Sequence, residues 1–172
     1  MRKITLLLAA AIMCSICNAQ QINKYGAPFI TNYKPTTTQT LDIVQDQRGI
    51  LYFATDDGII EYDGANWNKI SRLFVRSLSI DKNNIVHVGI NGDFGYLYPN
   101  NVGELEFVSL ASKVPDSLQV GDCYKTYCIG ETTYYCSFDN IFVTERDSIV
   151  NIIDLPEDSF LSFMSSICIP NT

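Results

Sequence analysis

The stretch Asp46–Gly64, DQRGILYFATDDGIIEYDG, contains two hydrophobic runs that each end at a glycine turn. Short runs of β-branched and aromatic residues bounded by Asp and Gly are typical of β-strands joined by tight hairpins. Glycine accepts the positive φ that such turns require. Around this core we predict strands near Leu41–Gln45, Ile50–Thr55, Ile59–Tyr62 and Trp67–Ile70, separated by turns at Arg48-Gly49, Asp57-Gly58 and Asp63-Gly64. The pattern predicts a four-stranded antiparallel meander.

The same pattern recurs twice along the chain. A second copy, DKNNIVHVGINGDFGYLYPN, starts at Asp81, 35 residues after Asp46. At this spacing the aligned pairs are Asp46 with Asp81, Ile50 with Ile85, Phe53 with Val88 and Ala54 with Gly89, and a two-residue insertion then aligns Gly58 with Gly95. A third copy, GETTYYCSFDNIFVTERDS, places Tyr135 under Phe53, Cys136 under Ala54, Asp139 under Asp57 and Asn140 under Gly58. Asparagine tolerates the left-handed conformation better than most residues other than glycine.

Repeats of about 35 to 47 residues, each a four-stranded meander, are typical of β-propeller blades. We therefore predict an all-β fold, an incomplete β-propeller of about three blades. The predicted ranges are blades near 38–71, 75–110 and 120–150, the start of a further blade at 157–172, and an extended segment over 20–37 that includes Pro28–Tyr33. Predicted meander breaks lie at Gly49, Gly58 and Gly95. Closed propellers contain roughly four to eight blades, so the remaining blades of a longer protein are expected partners.

Residues 1–19 have the layout of a secretory signal peptide. Arg2 and Lys3 precede an apolar run from Ile4 to about Met13, and small residues lead to Ala19. The run is shorter than the roughly 20 residues that span a bilayer. Removal of this segment changes the formal charge from -7 to -9. The sequence thus predicts export to the periplasm and an acidic chain that repels nucleic acid, with membrane attachment only through a C-terminal part beyond Thr172.

Residues with potential chemistry are few. His87 is the only histidine and occupies the position of Tyr52 in the first copy, with no evident set of metal ligands. Asp46 and Asp81 hold the same slot in successive repeats, and we expect each to bond the backbone of its own turn. Asp56, Asp57 and Asp93 are interpreted as turn residues, because the full spacing of a calcium loop is missing. The disulfide state of the four cysteines after residue 19 is left open: Cys123, Cys128, Cys136 and Cys168.

Two surface features could bind a ligand, and each has an ordinary structural explanation. A set of tyrosines could stack on a sugar or simply pack in strands: Tyr96, Tyr98, Tyr124, Tyr127, Tyr134 and Tyr135. A basic group where the first blade passes to the second could contact an anion or form a solvated connector: Lys69, Arg72 and Arg76. The sequence identifies no catalytic, cofactor-binding or metal-binding residue, and it leaves the ligand-binding residues unknown.

Three stretches of the sequence together carry a family resemblance. QDQRGILYFATDDGIIEYDGANW (45–67), VRSLSIDKNNIVHVGINGDFGYL (75–97) and the preceding APFITNY (27–33) resemble the two-component regulator propeller family of outer-facing bacterial sensors. The resemblance covers about residues 25–145. It implies a periplasmic ligand-sensing propeller, with a glycan as the expected ligand class. In that family a transmembrane helix and a histidine kinase or LuxR-type output follow, and neither is present in these 172 residues.

Three classes of function remain open at this point. The first is the N-terminal part of a periplasmic sensor that signals through domains absent from this chain. The second is a secreted or periplasmic binding or scaffold propeller without a signalling role. The third is a propeller lyase or glycosidase, which needs converging carboxylates or a histidine with an acidic partner. The sequence marks no such group, and we predict that this chain is not an enzyme.

Overall fold

A computed structural model describes residues 39–156. The predicted signal peptide, the extended segment at Pro28–Tyr33 and the start of a further blade at 157–172 lie outside the described residues. Within residues 39–156 the chain forms twelve β-strands and one short 3-10 turn, Ala111–Lys113, and it contains no α-helix. No helix in this part of the chain is long and apolar enough to cross a membrane.

The twelve strands form three sheets of four antiparallel strands, each in sequential order. Blade 1 contains β1 (Thr40–Gln45), β2 (Leu51–Thr55), β3 (Gly58–Tyr62) and β4 (Trp67–Lys69). Blade 2 contains β5 (Val75–Ile80), β6 (Val86–Ile90), β7 (Asp93–Pro99) and β8 (Leu105–Ser109). Blade 3 contains β9 (Lys125–Ile129), β10 (Thr132–Cys136), β11 (Asn140–Glu145) and β12 (Ser148–Asp154). The predicted all-β, propeller-like architecture is confirmed.

The repeat spacing predicted for the first two copies holds at the level of strands. β5 and β6 begin 35 residues after β1 and β2. The third copy also agrees with the predicted alignment, because Thr55 and Ser137 occupy matching positions and make the same hydrogen bond. Their hydroxyl groups donate to the carbonyls of Gly58 and Asn140 at 2.7 and 2.9 Å. Asn140, however, does not have a positive φ, which among the described residues other than glycine occurs at Asn84 and Arg146.

The alignment of Gly58 with Gly95 and the predicted break at Gly95 are wrong. The turn between β6 and β7 is at Asn91-Gly92, and Gly95 lies inside β7, opposite Val88. β7 has seven residues where β3 has five, so the extra two residues extend the far end of the strand. The two glycines share a different role. A Cβ atom at Gly58 or Gly95 would lie 1.9 Å from the carbonyl oxygen of Ser71 or Val108, so both positions require glycine because later backbone of the same blade lies so close.

The hydrophobic core lies between neighbouring blades. One buried cluster joins blades 1 and 2 through side chains such as Tyr52, Ile59 and Val88, and another includes Phe94, Tyr135 and Phe142 from blades 2 and 3. Each first strand also bonds the first strand of the next blade. Leu78 N donates to Asp42 Oδ2 at 3.0 Å, and Cys128 N donates to Ser79 Oγ at 3.0 Å. A blade therefore covers the apolar face of its neighbour, as in other repeat architectures.

Candidate functional site

The loop that precedes β6 positions the first residue of the candidate site, Asp81. Its Oδ1 accepts hydrogen bonds from Asn83 N and Ile85 N at 2.9 and 2.8 Å, and Asn84 adopts φ 69°. Asp46 closes the loop before β2 in the same way, through Arg48 N and Ile50 N, both at 2.9 Å. The prediction that these two aspartates bond the backbone of their own turns is confirmed.

A cleft of about 410 Å³ opens where this loop meets blade 3. Ligand pockets in proteins typically have about 300–1,000 Å³. Side chains from both blades line the cleft, and ion pairs join the blades at two points around it, between Lys82 and Glu131 and between Lys113 and Asp147. The residues that line it are Asp81, Asn83, Ile85, His87, Tyr96, Tyr98, Glu131, Thr133, Arg146 and Asp147.

His87 lies on β6 at the floor of the cleft, with its side chain 5% exposed. Its Nδ1 is 2.7 Å from Tyr135 Oη, and that hydroxyl is 2.8 Å from the carbonyl oxygen of Gly95. A carbonyl oxygen only accepts, so the single hydroxyl proton of Tyr135 points to Gly95. His87 Nδ1 must then carry a proton and donate it to Tyr135. In the neutral ring this leaves Nε2 unprotonated, as a hydrogen-bond acceptor.

The Nε2 atom of His87 is the one buried side-chain nitrogen or oxygen in the described residues that has no hydrogen-bond partner. The nearest carboxylate oxygen, Asp81 Oδ2, lies 3.6 Å away, beyond hydrogen-bond distance. Burial lowers the pKa of His87 below its ordinary value, and the charge of Asp81 opposes that shift. The ring is therefore neutral near pH 7, and two acceptors face each other across a short gap. Such an arrangement is unusual, since buried polar groups are normally satisfied.

The structure divides the predicted tyrosine set. Tyr96 and Tyr98 line the cleft with their rings 6.3 Å apart and edge to face, and Tyr98 is 55% exposed. Tyr135 is fully buried, and its hydroxyl group accepts the hydrogen bond from His87 Nδ1. Tyr127 and Tyr134 face each other across β9 and β10, and the ring of Tyr124 lies 4.6 Å from the Arg76 guanidinium. Only Tyr96 and Tyr98 are placed to contact a molecule in this cleft.

The predicted basic group does not line the cleft. Lys69 pairs with Asp57, and Arg76 pairs with Asp122 at 2.8 Å while its guanidinium lies between the rings of Phe74 and Tyr124. Asp57 lies in the turn between β2 and β3, as predicted for it and for Asp56. Asp93 instead begins β7, where its Oδ1 accepts from Ser109 Oγ and Ala111 N.

The described cysteines are not joined by disulfides. Cys123, Cys128 and Cys136 are free thiols, and Cys168 lies outside the described residues. Burial raises the pKa of Cys123 to about 12, and it raises the pKa of Cys128 and Cys136 as well. A thiol that stays protonated is a poor nucleophile and metal ligand. No group of three His, Cys, Asp or Glu side chains within residues 39–156 could hold a metal ion.

Sequence reasoning placed His87 in a strand but missed its acidic neighbour. One signal was available. Asp81 and His87 lie on opposite sides of the hairpin that joins β5 and β6, so they are close whenever that hairpin forms. The partnership with Tyr135 had no comparable signal, because the two residues are 48 positions apart and belong to different blades.

These features define an all-β repeat protein of propeller-like architecture with a polar and aromatic cleft between two blades. No protein-family model matches the sequence. No curated protein matches it at a significant level.

Proposed function

We propose that this chain is the N-terminal part of a periplasmic ligand-sensing β-propeller, exported by the segment 1–19, that signals through domains beyond this chain. The observation that carries the proposal is the cleft between blades 2 and 3, which combines an exposed tyrosine ring with a buried acceptor that has no partner. A few oriented polar groups beside an aromatic wall are typical of small-molecule sites.

The proposed ligand class is a glycan. The ring of Tyr98 offers an apolar face to a sugar ring, while Asp81, Glu131 and Arg146 offer partners to hydroxyl groups. The volume of about 410 Å³ suits a small saccharide rather than a long polymer enclosed on all sides. The resemblance to regulator propellers supports the same class independently.

Binding of neutral oligosaccharides to the purified chain tests the proposal. Isothermal titration calorimetry with cello-, malto- and xylo-oligosaccharides at pH 7.5 is expected to identify at least one that binds. Tyr98→Ala is expected to weaken that binding about tenfold, which corresponds to about 1.4 kcal/mol of lost stacking. Phe138→Ala removes a comparably exposed aromatic ring from the loop between β10 and β11 and is the matched control.

Two outcomes count against the proposal. If Tyr98→Ala and Phe138→Ala bind alike, the ligand does not lie in this cleft. If none of the sugars binds at any pH, the glycan proposal is wrong. The signalling role has its own test, which is the DNA that follows the Thr172 codon. Further blades, an apolar span of roughly 20 residues and a kinase or helix-turn-helix region support a sensor, and a ring that closes without them supports a binding or scaffold protein.

A further inference from the structure

The gap between His87 and Asp81 gives the cleft a second property, which rests on the proposed function. The two side chains differ in access. Nε2 of His87 is buried, whereas Asp81 lines the cleft and keeps 15% of its side-chain area exposed. A ligand can therefore reach the carboxylate but not the imidazole nitrogen, and what can reach that nitrogen is a proton.

Asp81 Oδ2 has unused capacity as an acceptor. Its sister oxygen, Oδ1, already holds two backbone N–H groups of the loop, and Oδ2 has only a long contact of 3.4 Å from Asn83 Nδ2. A ligand hydroxyl group in the cleft could donate to this oxygen. A proton on His87 Nε2 would compete for it, because the nitrogen then becomes a charged donor only 3.6 Å away.

We propose that the cleft holds a ligand hydroxyl group against Asp81 Oδ2 only while His87 is neutral, and that protonation of His87 Nε2 displaces the ligand by taking the same oxygen. The site is thus linked to pH, and the ligand and one proton exclude each other. Because the ligand selects the neutral ring, its binding also lowers the proton affinity of His87.

Few other groups near the ring can change charge in the same range. The titratable groups around His87 are Asp81 on the preceding loop, Tyr96 on β7, Cys128 on β9 and Tyr135 on β10. Burial raises the pKa of Tyr135 and of Cys128, so neither ionises near pH 6. The charged groups across the cleft are Glu131, Asp147 and Arg146, and a hydrogen bond from Lys113 holds the pKa of the Asp147 carboxyl below its ordinary value. His87 therefore controls the predicted pH dependence.

Nuclear magnetic resonance tests, without a ligand, whether the neutral His87 ring leaves Nε2 unprotonated and whether Asp81 favours protonation of the ring. His87 needs no assignment, because it is the only histidine. The ¹⁵N shifts of the ring at pH 7.5 are expected to show the tautomer with the proton on Nδ1. The titration midpoint is expected below the ordinary value of about 6.5. Asp81→Asn is expected to lower the midpoint further, since it removes the charge that favours the imidazolium. A proton on Nε2 at pH 7.5, or a midpoint that Asp81→Asn leaves unchanged, would overturn the proposal.

Calorimetry across pH 5–8, with an oligosaccharide that binds at pH 7.5, tests whether protonation of His87 displaces the ligand. The dissociation constant is expected to be flat at high pH and to rise towards tenfold per pH unit below the His87 midpoint. His87→Phe is expected to abolish this rise, and Asp81→Asn is expected to weaken binding at every pH. Asp63→Asn, in the loop between β3 and β4 of blade 1, is the control and should keep the wild-type profile.

The outcomes separate this inference from the proposed function. Binding that depends on Tyr98 but not on pH leaves the proposed function intact and refutes the proton linkage. If no sugar binds, the glycan proposal is wrong, and the Nδ1–H tautomer with its Asp81-dependent midpoint still shows whether a proton on His87 Nε2 engages Asp81. If His87→Phe does not fold, the pH dependence of the dissociation constant of Asp81→Asn decides whether the proton linkage exists. Asp81→Asn should lack the rise at low pH, because a neutral amide cannot form an ion pair with the imidazolium.

Discussion

At the scale of single residues, an aspartate organises the loop between the first two strands of blades 1 and 2. Asp46 is fully buried in its side chain, and its Oδ1 accepts hydrogen bonds from Arg48 N and Ile50 N. Asn100 repeats the arrangement between β7 and β8 through Val102 N and Glu104 N. A short side chain with an acceptor oxygen replaces the missing strand partner of these N–H groups.

Removal of the Asp46 acceptor is expected to destabilise the protein. Asp46→Ala leaves two N–H groups without their partner and is predicted to lower the free energy of unfolding by about 2 kcal/mol at pH 7. The exposed Arg48 partner adds little, because solvent screens it. Asp63→Ala removes a similar but exposed turn acceptor and should cost less. Urea denaturation followed by circular dichroism measures both variants, and an equal loss would contradict this account.

The same carboxylate predicts a pH dependence. Burial raises the pKa of Asp46, but hydrogen bonds from Arg48 and from Ile50 N outweigh it and hold the pKa below its ordinary value. A depressed pKa in the folded state contributes stability above the unfolded value of about 3.9, and that contribution is lost as pH falls through the folded pKa. The stability gap between wild type and Asp46→Asn is therefore expected to be constant above about pH 5 and to shrink below about pH 4.

At the scale of elements, the third strand of blades 1 and 2 contains a residue that lies so close to later backbone of the same blade that it has no room for a side chain. Gly58 is the first residue of β3 and lies against Ser71, just after β4, whereas Gly95 is the third residue of β7 and lies against Val108 in β8. Gly58 also has φ 133°, whereas Gly95 has an ordinary backbone conformation. Close approach is therefore the requirement that the two share, and the turn geometry is not.

Gly58→Ala is expected to disrupt blade 1. The new methyl group would meet the carbonyl oxygen of Ser71, which belongs to the backbone and cannot rotate away. We expect a loss of roughly 3 kcal/mol, the upper end of the range for overpacking. Gly64 has φ 99°, but no atom lies within 4 Å of the position that an added Cβ would take. Gly64→Ala is therefore expected to cost only backbone strain of about 1 kcal/mol. Urea unfolding followed by the fluorescence of Trp67, the single tryptophan, compares them, and a Gly64→Ala loss as large as that of Gly58→Ala would refute the steric explanation.

At the scale of the whole described unit, stability depends on how tightly neighbouring blades pack. Gly89 in β6 lies close both to Ser77 in β5 of its own blade and to Cys123, just before β9 of blade 3: an added Cβ would lie 2.5 Å from Ser77 Oγ and 2.7 Å from Cys123 Sγ. Ser77 Oγ in turn lies 2.8 Å from Thr126 Oγ1, so a buried polar contact crosses the same interface. Blade 2 is thus held to blade 3 by close packing and by hydrogen bonds.

Gly89→Ala is expected to separate blades 2 and 3 enough to lower thermal stability, by about 1–3 kcal/mol of overpacking. Gly121→Ala is the matched control, since its nearest contact would be an ordinary 3.8 Å from Ser137 Cβ. Thermal melts followed by circular dichroism should show a lower midpoint for Gly89→Ala alone. A midpoint equal to that of wild type would mean that the interface adjusts freely to an added methyl group.

The strands of blade 1, their order and the roles of Asp46 and Asp81 in their loops are predictable from the amino-acid sequence alone. Strand positions follow from runs of β-branched and aromatic residues, and the roles of Asp46 and Asp81 follow from turns only five residues long. These features depend on steric limits and hydrogen bonds within a few residues, which any chain containing DQRGI or DKNNI must satisfy. The length of β7 was the exception, because extra residues at the far end of a strand do not alter the local pattern.

The candidate site, by contrast, depends on contacts between blades. His87, Tyr135 and Gly95 come from β6, β10 and β7, and their contacts of 2.7 and 2.8 Å depend on how blade 3 packs on blade 2. The lone acceptor at Nε2 follows from that packing, since Tyr135 fixes the proton on the opposite nitrogen. A hydrophobic pattern predicts that two sheets pack face to face but not which polar atoms meet, because apolar burial is non-directional.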